Sequence, residues 1–396
     1  MRARETPTVD DFETEVRTFF EGLPALMADL PGDRIERAKA YRAALFDAGL
    51  AGVQYPVEYG GRGYGPELQA VFRRVATPLQ PPEESTFGIG IGMALPTILE
   101  YGSNSLKERL LRSGLRGEEI WCQLYSEPGA GSDLAGLTCK AERDGDEWVI
   151  TGQKVWTSGA QHSDLGILIA RTDSDAPKHA GITMFVLPMK QPGVDVRPLV
   201  QMTGIAEFNE VFMDEARCPA DWVVGEVNHG WRLATALLAH ERTSLGKGQM
   251  TNHDQRSKAG RFPIPFAGLL ERADATGQRN DPVVRQALAQ AYIGERIIPW
   301  VTQRGIHPSV GKLWRTIQGR YAAQVAHELG GGAAMAWEAD DAEADYYAYH
   351  VLNCRGMSLG GGTDEVQKNT LGERVLGLPR EPGPDKHTPF RDLLKN

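Results

Sequence analysis

The chain has 396 residues with 43 Lys and Arg against 52 Asp and Glu, a formal charge of −9, and 41% hydrophobic and 24% charged residues. That length allows roughly two to three domains, and that composition excludes a chain dominated by disorder. The acidic balance gives no electrostatic footprint for nucleic acid or an anionic membrane, and no apolar run approaches the roughly 20 residues of a spanning helix. The N-terminus mixes both charges without an apolar core, so no signal peptide is expected. The four cysteines, Cys122, Cys139, Cys218 and Cys354, are far apart. No zinc site, other metal site or disulfide framework is predicted, and a reducing cytoplasm fits best.

From Asp10 to about Gly117 the pattern is helical; Tyr41, Leu45 and Ala48 share a helix face, and Gly49 stops the segment. Glu58–Gly65 is glycine-rich and predicts a loop, followed by a helix over Leu68–Thr77. Gly88-Ile-Gly-Ile-Gly92 lacks the preceding strand of a dinucleotide loop and reads better as a helix packing contact. The segment from Trp121 to Asp133 reads as a loop: either a polar turn between domains or one whose glycines and small hydroxyls expose main-chain N–H groups to a ligand.

From Ile120 to about Val224 the period is two. Leu137–Arg143 and Glu147–Thr151 flank Asp144-Gly145 and predict a hairpin; short strands follow at Leu165–Ala170, Ile182–Pro188, Val194–Leu199 and Glu210–Met213. This spacing predicts a β-sandwich or barrel. Helices return at Trp231–Leu245, after Asp281-Pro282, and at Ser309–Leu329, Ala334–Arg355 and Asp364–Leu376; Gly246–Asp281 reads as an extended connection. The fold class is α+β, divided at 1–119, 120–228 and 229–396.

Two features carry chemistry. Trp156, followed by Thr157 and Ser158 near a strand end, is either a stacking platform for a planar ligand or a core tryptophan. Glu241 is four residues from both Leu237 and Leu245, on the apolar stripe that includes Ala234 and Leu238. A carboxylate there is either a general base of raised pKa or half of a buried ion pair. The histidines show no ligand spacing, and neither Gly-x-Ser-x-Gly nor a Walker loop is present.

Ser-Glu-Pro-Gly-Ala-Gly-Ser-Asp (126–133), Lys-Val-Trp-Thr-Ser-Gly (154–159), Gly-Gly-Thr-Asp-Glu-Val-Gln-Lys-Asn (361–369) and Glu-Arg-Val-Leu-Gly (373–377) occur in this order. Together they resemble the acyl-CoA dehydrogenase family from about Asp10 to Leu378. The resemblance implies an N-terminal helical domain, a middle β-domain and a C-terminal four-helix bundle. It also implies FAD, and oxidation of an acyl-CoA thioester to the trans-2-enoyl-CoA with transfer of electrons to an electron-transfer flavoprotein-like acceptor. By this resemblance Gln123, Leu124, Tyr125, Ser126, Gly131 and Ser132 line the flavin, and Ser132 also meets the CoA ester. Trp156, Thr157 and Ser158 cover the flavin, Thr363 and Glu365 approach it or its pyrophosphate, and Arg242 contacts CoA.

The family pattern departs here in three places. Many members place a catalytic Glu directly before a Gly-Thr pair, where this chain has Gly361; the Gly361 N–H remains available as an oxyanion donor. Isovaleryl- and long-chain-type members instead place the Glu before an Arg, as Glu241-Arg242 does here, which makes Glu241 the expected base. The family's Arg-x-x-Phe-Gly segment has no counterpart between Arg242 and Asp281, and His327 stands where a Gln usually precedes the glycine pair. A homo- or hetero-oligomer, dimer or tetramer, is expected, and these losses point to dependence on a different partner subunit, similar to paired actinobacterial sterol-side-chain dehydrogenases. The expected substrate is a branched or bulky acyl-CoA. The alternatives are a flavin oxidase or monooxygenase on the same fold, and a low-FAD, non-catalytic partner subunit.

Overall fold

The structure is a computed structural model that describes residues 6–28, 30, 32–79, 82, 84–246, 263–336, 338, 341–380, 382 and 387–393, with the main chain alone at 241–246, 302 and 342. The described residues fall into two compact units, one within Met1–Leu199, Glu207–Glu241 and Pro384–Asn396, the other within Val200–Ala206 and Arg242–Gly383.

The first unit opens with five helices: α1 (Val9–Ala28), α2 (Arg34–Asp47), α3 (Pro66–Ala76), α4 (Leu95–Tyr101) and α5 (Asn104–Arg116). Phe12, Val16, Phe20, Leu23 and Met27 recur every three or four residues along α1 and are all buried. Asp33 caps α2 by accepting from the Ile35 and Glu36 N–H groups, and Gly49 ends the segment at φ +74°. Gly90 is the predicted packing glycine: a Cβ there would lie 2.9 Å from Cδ1 of Trp121.

Eight strands follow: β1 (Trp121–Leu124), β2 (Lys140–Asp144), β3 (Glu147–Ser158), β4 (Leu165–Arg171), β5 (Ile182–Pro188), β6 (Val194–Leu199), β7 (Phe208–Pro219) and β8 (Val223–Val224). Their order is β6-β7-β3-β2-β4-β5-β8, with β1 parallel to β4. The β2–β4 pairing is a single one, Lys140 with Arg171, so two strand layers meet at this corner. Across them Trp148 of β3 packs edge-on against Phe185 of β5 at 5.4 Å, and the Cys218 thiol of β7 donates to the Val186 carbonyl at 3.3 Å. This is a sandwich. Trp121–Leu124 is thus a strand, a correction to the loop expected there; its residues are too apolar for a loop and pair along β4. β2 begins at Lys140 rather than Leu137, because a 3-10 turn occupies Leu134–Gly136. The last long strand, β7, extends well beyond Glu210–Met213.

Helix α6 (Gly230–Gly246) then begins, with Leu233, Ala234 and Leu237 buried in the same core as the sheet. The second unit contains α7 (Phe266–Ala275), α8 (Pro282–Gln303), α9 (Pro308–Gly330), α10 (Ala342–Asn353), α11 (Gly356–Leu359) and α12 (Asp364–Thr370). Leu269 and Ala273 of α7, Leu288 and Ala291 of α8, Ala322, Val325 and Leu329 of α9, and Tyr347 of α10 form one four-helix core. Helix α7 corrects the extended connection expected over Gly246–Asp281, of which 247–262 lie outside the described residues. Its apolar positions Leu269 and Ala273 were hidden by the neighbouring glycines and prolines. Helix α10 starts at Ala342 rather than Ala334, since Gly331–Ala334 is a separate 3-10 turn. The architecture is α+β: helical N-terminal region, middle β-sandwich, C-terminal four-helix bundle. Among the described residues no helix is long and apolar enough to cross a membrane.

The chain end returns to the first unit. Phe390 and Arg391 donate their N–H groups to the Ala176 and Ser174 carbonyls, and the buried Arg171 guanidinium lies 3.7 Å from the centre of the Phe390 ring. Phe390→Ala should lower stability by about 3 kcal/mol through lost burial and the lost cation–π contact. A urea unfolding midpoint equal to the wild type would contradict that packing role.

Candidate active site

The Ser-Glu-Pro-Gly motif leaves β1 as a tight turn in which Glu127 and Ala130 exchange main-chain hydrogen bonds at 3.1 and 3.0 Å. Glu127 does not face solvent. Its carboxylate accepts from the Thr138 N–H (2.7 Å), the Thr138 hydroxyl (2.9 Å) and the Cys139 N–H (3.0 Å). The Lys154 ammonium, on a side chain with 0% exposure, completes the set at 2.8 Å and also donates to the Tyr125 carbonyl at 3.0 Å. Burial pushes the Glu127 carboxyl up, but Lys154 and the two N–H donors outweigh it and hold its pKa below the ordinary value. The Val155 N–H also donates to the Ser126 carbonyl at 2.9 Å. Two motifs 27 residues apart, from Glu127 to Lys154, are therefore one device.

Beyond Lys154 the β3–β7 register shifts, and Trp156 takes φ +61°. A left-handed tryptophan is costly and persists only where the surroundings impose it, as they do at ligand sites. Trp156 is 55% exposed, and its ring meets that of Phe208 in a T-shaped contact at 5.8 Å. Of the two readings of Trp156, the core one fails. Ser158 is half-buried, whereas Thr157 is fully buried and turns its side chain into the sandwich.

Gln123 and Ser126 are half-buried, Leu124 and Tyr125 have their side chains in the core, and Gly131 and Ser132 are exposed. A Cβ on Gly129 or Gly131 would meet no atom within 4 Å, so this loop presents main chain to open space. A clamped glycine loop beside an exposed aromatic ring fits a large planar, anionic group such as the flavin nucleotide. Ser126 is brought to the strand that carries Trp156, while the side chains of Leu124, Tyr125 and Thr157 are buried.

Helix α6 carries Glu241 and Arg242 in its main chain, four and five residues past the buried Leu237. Their side chains, and that of Leu245, lie outside the described residues. In the second unit Gly361 (φ +66°) and Gly362 (φ +83°) form a left-handed turn into α12. The Thr363 hydroxyl caps that helix by accepting from the Val366 N–H at 3.2 Å, while Glu365 is exposed. His327 is exposed on α9. All four cysteines are buried free thiols, and among the described residues no three His, Cys, Asp or Glu side chains are placed to hold a metal ion.

Sequence reasoning assigned no role to Glu127 or Lys154. Lys154 carried the usable signal, a cation inside a strand where the inward residue should be apolar. Removing either charge alone (Glu127→Gln or Lys154→Met) should cost about 3–5 kcal/mol, because the survivor stays buried without a counter-ion. The double variant should recover part of that loss. Because the folded pKa of Glu127 is depressed, its contribution is complete above the ordinary value of 4.5 and is lost as pH falls through the folded pKa. Urea unfolding between pH 6 and the acid limit should therefore show a shallower pH dependence in Glu127→Gln; identical slopes would contradict the pair's contribution.

Comparison with known proteins bears on the same segments. A family model described as the acyl-CoA dehydrogenase N-terminal domain matches residues 6–118, and one for the middle domain matches residues 122–216. The acyl-CoA dehydrogenase IpdE1 of Mycobacterium tuberculosis is 36% identical over 392 residues, covering 94% of this chain and 98% of that protein. The acyl-CoA dehydrogenase FadE34 of the same organism is 38% identical over 349 residues, covering 86% of this chain and 46% of that protein. Among solved structures, the Tcur3481–Tcur3483 steroid ACAD matches with TM-score 0.72 and 28% identity, covering 96% of this chain and 100% of that one. The ChsE4–ChsE5 complex from Mycobacterium tuberculosis matches with TM-score 0.69 and 29% identity, again covering 96% and 100%. The chain belongs to the acyl-CoA dehydrogenase family, the FAD-dependent oxidoreductases that act on the CH–CH bond of acyl-CoA thioesters.

Proposed function

We propose that this chain dehydrogenates a branched or bulky acyl-CoA, with Glu241 as the general base and the Gly361 N–H as a donor to the thioester carbonyl. The observation that carries the reading is the exchange between two positions. Gly361 has no side chain where many relatives carry the carboxylate, while the α6 face that buries Leu233, Ala234 and Leu237 continues at Glu241. Desolvation raises the pKa of a carboxylate, which suits a base that takes a weakly acidic α-proton near neutral pH.

The glycines of this turn support the bulky acyl class in this reading. Gly360, Gly361 and Gly362 add no side chain to the turn before α12; a Cβ on Gly360 would meet only the Gly356 carbonyl, at 3.6 Å, whereas at Gly362 the space is taken by Gln367 at 2.8 Å, so the room lies at the Gly360 end. That room suits an acyl group wider than a straight chain, and likeness to a steroid ACAD is consistent with a ring-bearing ester.

FAD, when bound, supplies the two-electron acceptor for the β-hydride. Trp156 offers its exposed ring to the isoalloxazine, with Ser158 beside it. Gln123, Ser126, Gly131 and Ser132, and the main chain of Leu124, Tyr125 and Thr157, line the ligand, with Ser132 extending toward CoA. Thr363 and Glu365 serve the cofactor at the start of α12. Arg242 binds the CoA portion. These roles follow a division of the chain at 119/120 and 228/229.

An electron-transfer flavoprotein-like acceptor reoxidises the enzyme in this reading. The assembly is a heteromer: the exposed His327 and the missing Arg-x-x-Phe-Gly segment leave the cofactor site short of residues, and the Tcur3481–Tcur3483 and ChsE4–ChsE5 neighbours are each named for two chains.

Glu241→Gln should keep the yellow colour and bind acyl-CoA, yet slow anaerobic flavin reduction by at least about 10²-fold. Reduction at the wild-type rate would assign the base elsewhere. Gel filtration tests the assembly: expressed alone, the chain should hold less than stoichiometric FAD, and co-expression with its partner should restore it. Full FAD in the chain alone would rule out the heteromer.

A further inference from the structure

The Gly361–Gly362 turn poses a conformational question that its own sequence does not answer. Two consecutive residues at φ +66° and +83° are accessible to glycine, but glycine permits such a turn without selecting it. Something else must hold it.

Gln367, one helical turn into α12 and 2% exposed, reaches back over the turn. Its Nε2 donates to the Gly361 carbonyl at 2.8 Å, and its Oε1 accepts from the Ser309 hydroxyl at 2.6 Å. Ser309 is 1% exposed, in the first turn of α9. A Cβ on Gly362 would sit 2.8 Å from Nε2, so the glycine is needed for the carboxamide to close on its target. On either side Lys312, also on α9, grips the flanks: its Nζ donates to Asp364 Oδ1 at 2.8 Å and to the Ser358 carbonyl at 3.4 Å. The turn is thus tied to one long helix at three places. Burying a carboxamide is unfavourable unless it is bonded, and both ends of this one are bonded, the Nε2 end to the glycine turn and the Oε1 end to the Ser309 hydroxyl on α9.

We propose that Gln367, anchored by Ser309, is the positioning residue that fixes the Gly361–Gly362 main chain so that the Gly361 N–H is held ready for the substrate carbonyl. This rests on the role given above to the Gly361 N–H. A donor aimed at developing negative charge acts through pre-organisation, so loosening it reduces the rate of enolisation more than ground-state binding. Gln367 itself touches neither substrate nor cofactor in this scheme.

The test uses FAD-loaded enzyme in its native assembly, with Gln367→Leu, which removes both bonds at similar volume, and Ser309→Ala, which removes only the anchor. Three quantities are read: the carbonyl stretching frequency of a bound, carbonyl-labelled, non-oxidisable acyl-CoA analogue; the analogue's Kd; and the anaerobic flavin reduction rate at saturating substrate. In the wild type the carbonyl band should shift to lower frequency on binding. Gln367→Leu should abolish most of that shift and slow reduction by about 10²-fold, as loss of an oxyanion donor does, while Kd changes by no more than about threefold. Ser309→Ala should move the same quantities in the same direction by less, and it carries the test if Gln367→Leu does not fold. A wild-type shift retained in both variants overturns the positioning role and leaves the Gly361 donor standing. A wild type without any shift overturns the Gly361 donor itself, and this inference with it. Lost affinity or lost FAD with an unchanged carbonyl band would mean a purely structural contact, and would also overturn it.

Discussion

The buried pair of Glu127 and Lys154 is the constraint on which the middle of the molecule depends. Both charges are buried, so each must be satisfied by the protein, and the partners they recruit come from three places: the turn after β1, the two residues just before β2 and the interior of β3. Folding the loop any other way would strand an ion in the sandwich, at a cost of several kcal/mol. A hydrophobic pair of the same volume could serve stability equally well. What it could not do is index one segment against another at hydrogen-bond precision, and the register of these segments decides where Trp156 points. The ammonium inside the strand and the strained indole two residues later are consecutive consequences of one arrangement.

A similar economy operates in the second unit. There the restraint is a neutral carboxamide rather than an ion pair, and the segment it holds is two glycines instead of a polar loop. Both devices use a long-range side-chain bond to hold a glycine-containing main chain that has no conformational preference of its own. Both also leave the held segment free of bulky side chains, as a surface for a large cofactor and a wide thioester requires.

Much of this was legible in the sequence. The helical period of α2 and α3, the Asp144-Gly145 hairpin and the Asp281-Pro282 cap all follow local rules, and local rules decide those elements. The short strand β1 was missed because its four residues gain their structure from pairing beside β4, a partner more than 40 positions away. Helix α7 was missed because glycine and proline in its flanks outweighed two buried apolar positions. The exposed Trp156 could be named as a candidate but not distinguished from a core tryptophan, since exposure depends on a bulge in the β3–β7 ladder. Glu127, Lys154 and Gln367 all lay inside recognised motifs. Their roles were invisible because each acts across 6 to 58 residues through atoms that no spacing rule connects.

The most direct measurement of the central claim is anaerobic mixing of the FAD-loaded assembly with a ring-bearing acyl-CoA, followed by mass analysis of the ester. The account predicts that the visible flavin band bleaches while the product loses two hydrogens to become the trans-2-enoyl-CoA, and that a short straight-chain ester reacts far more slowly. A flavin that stays oxidised while the ring-bearing ester is recovered saturated, or a preference for the straight chain, would contradict it.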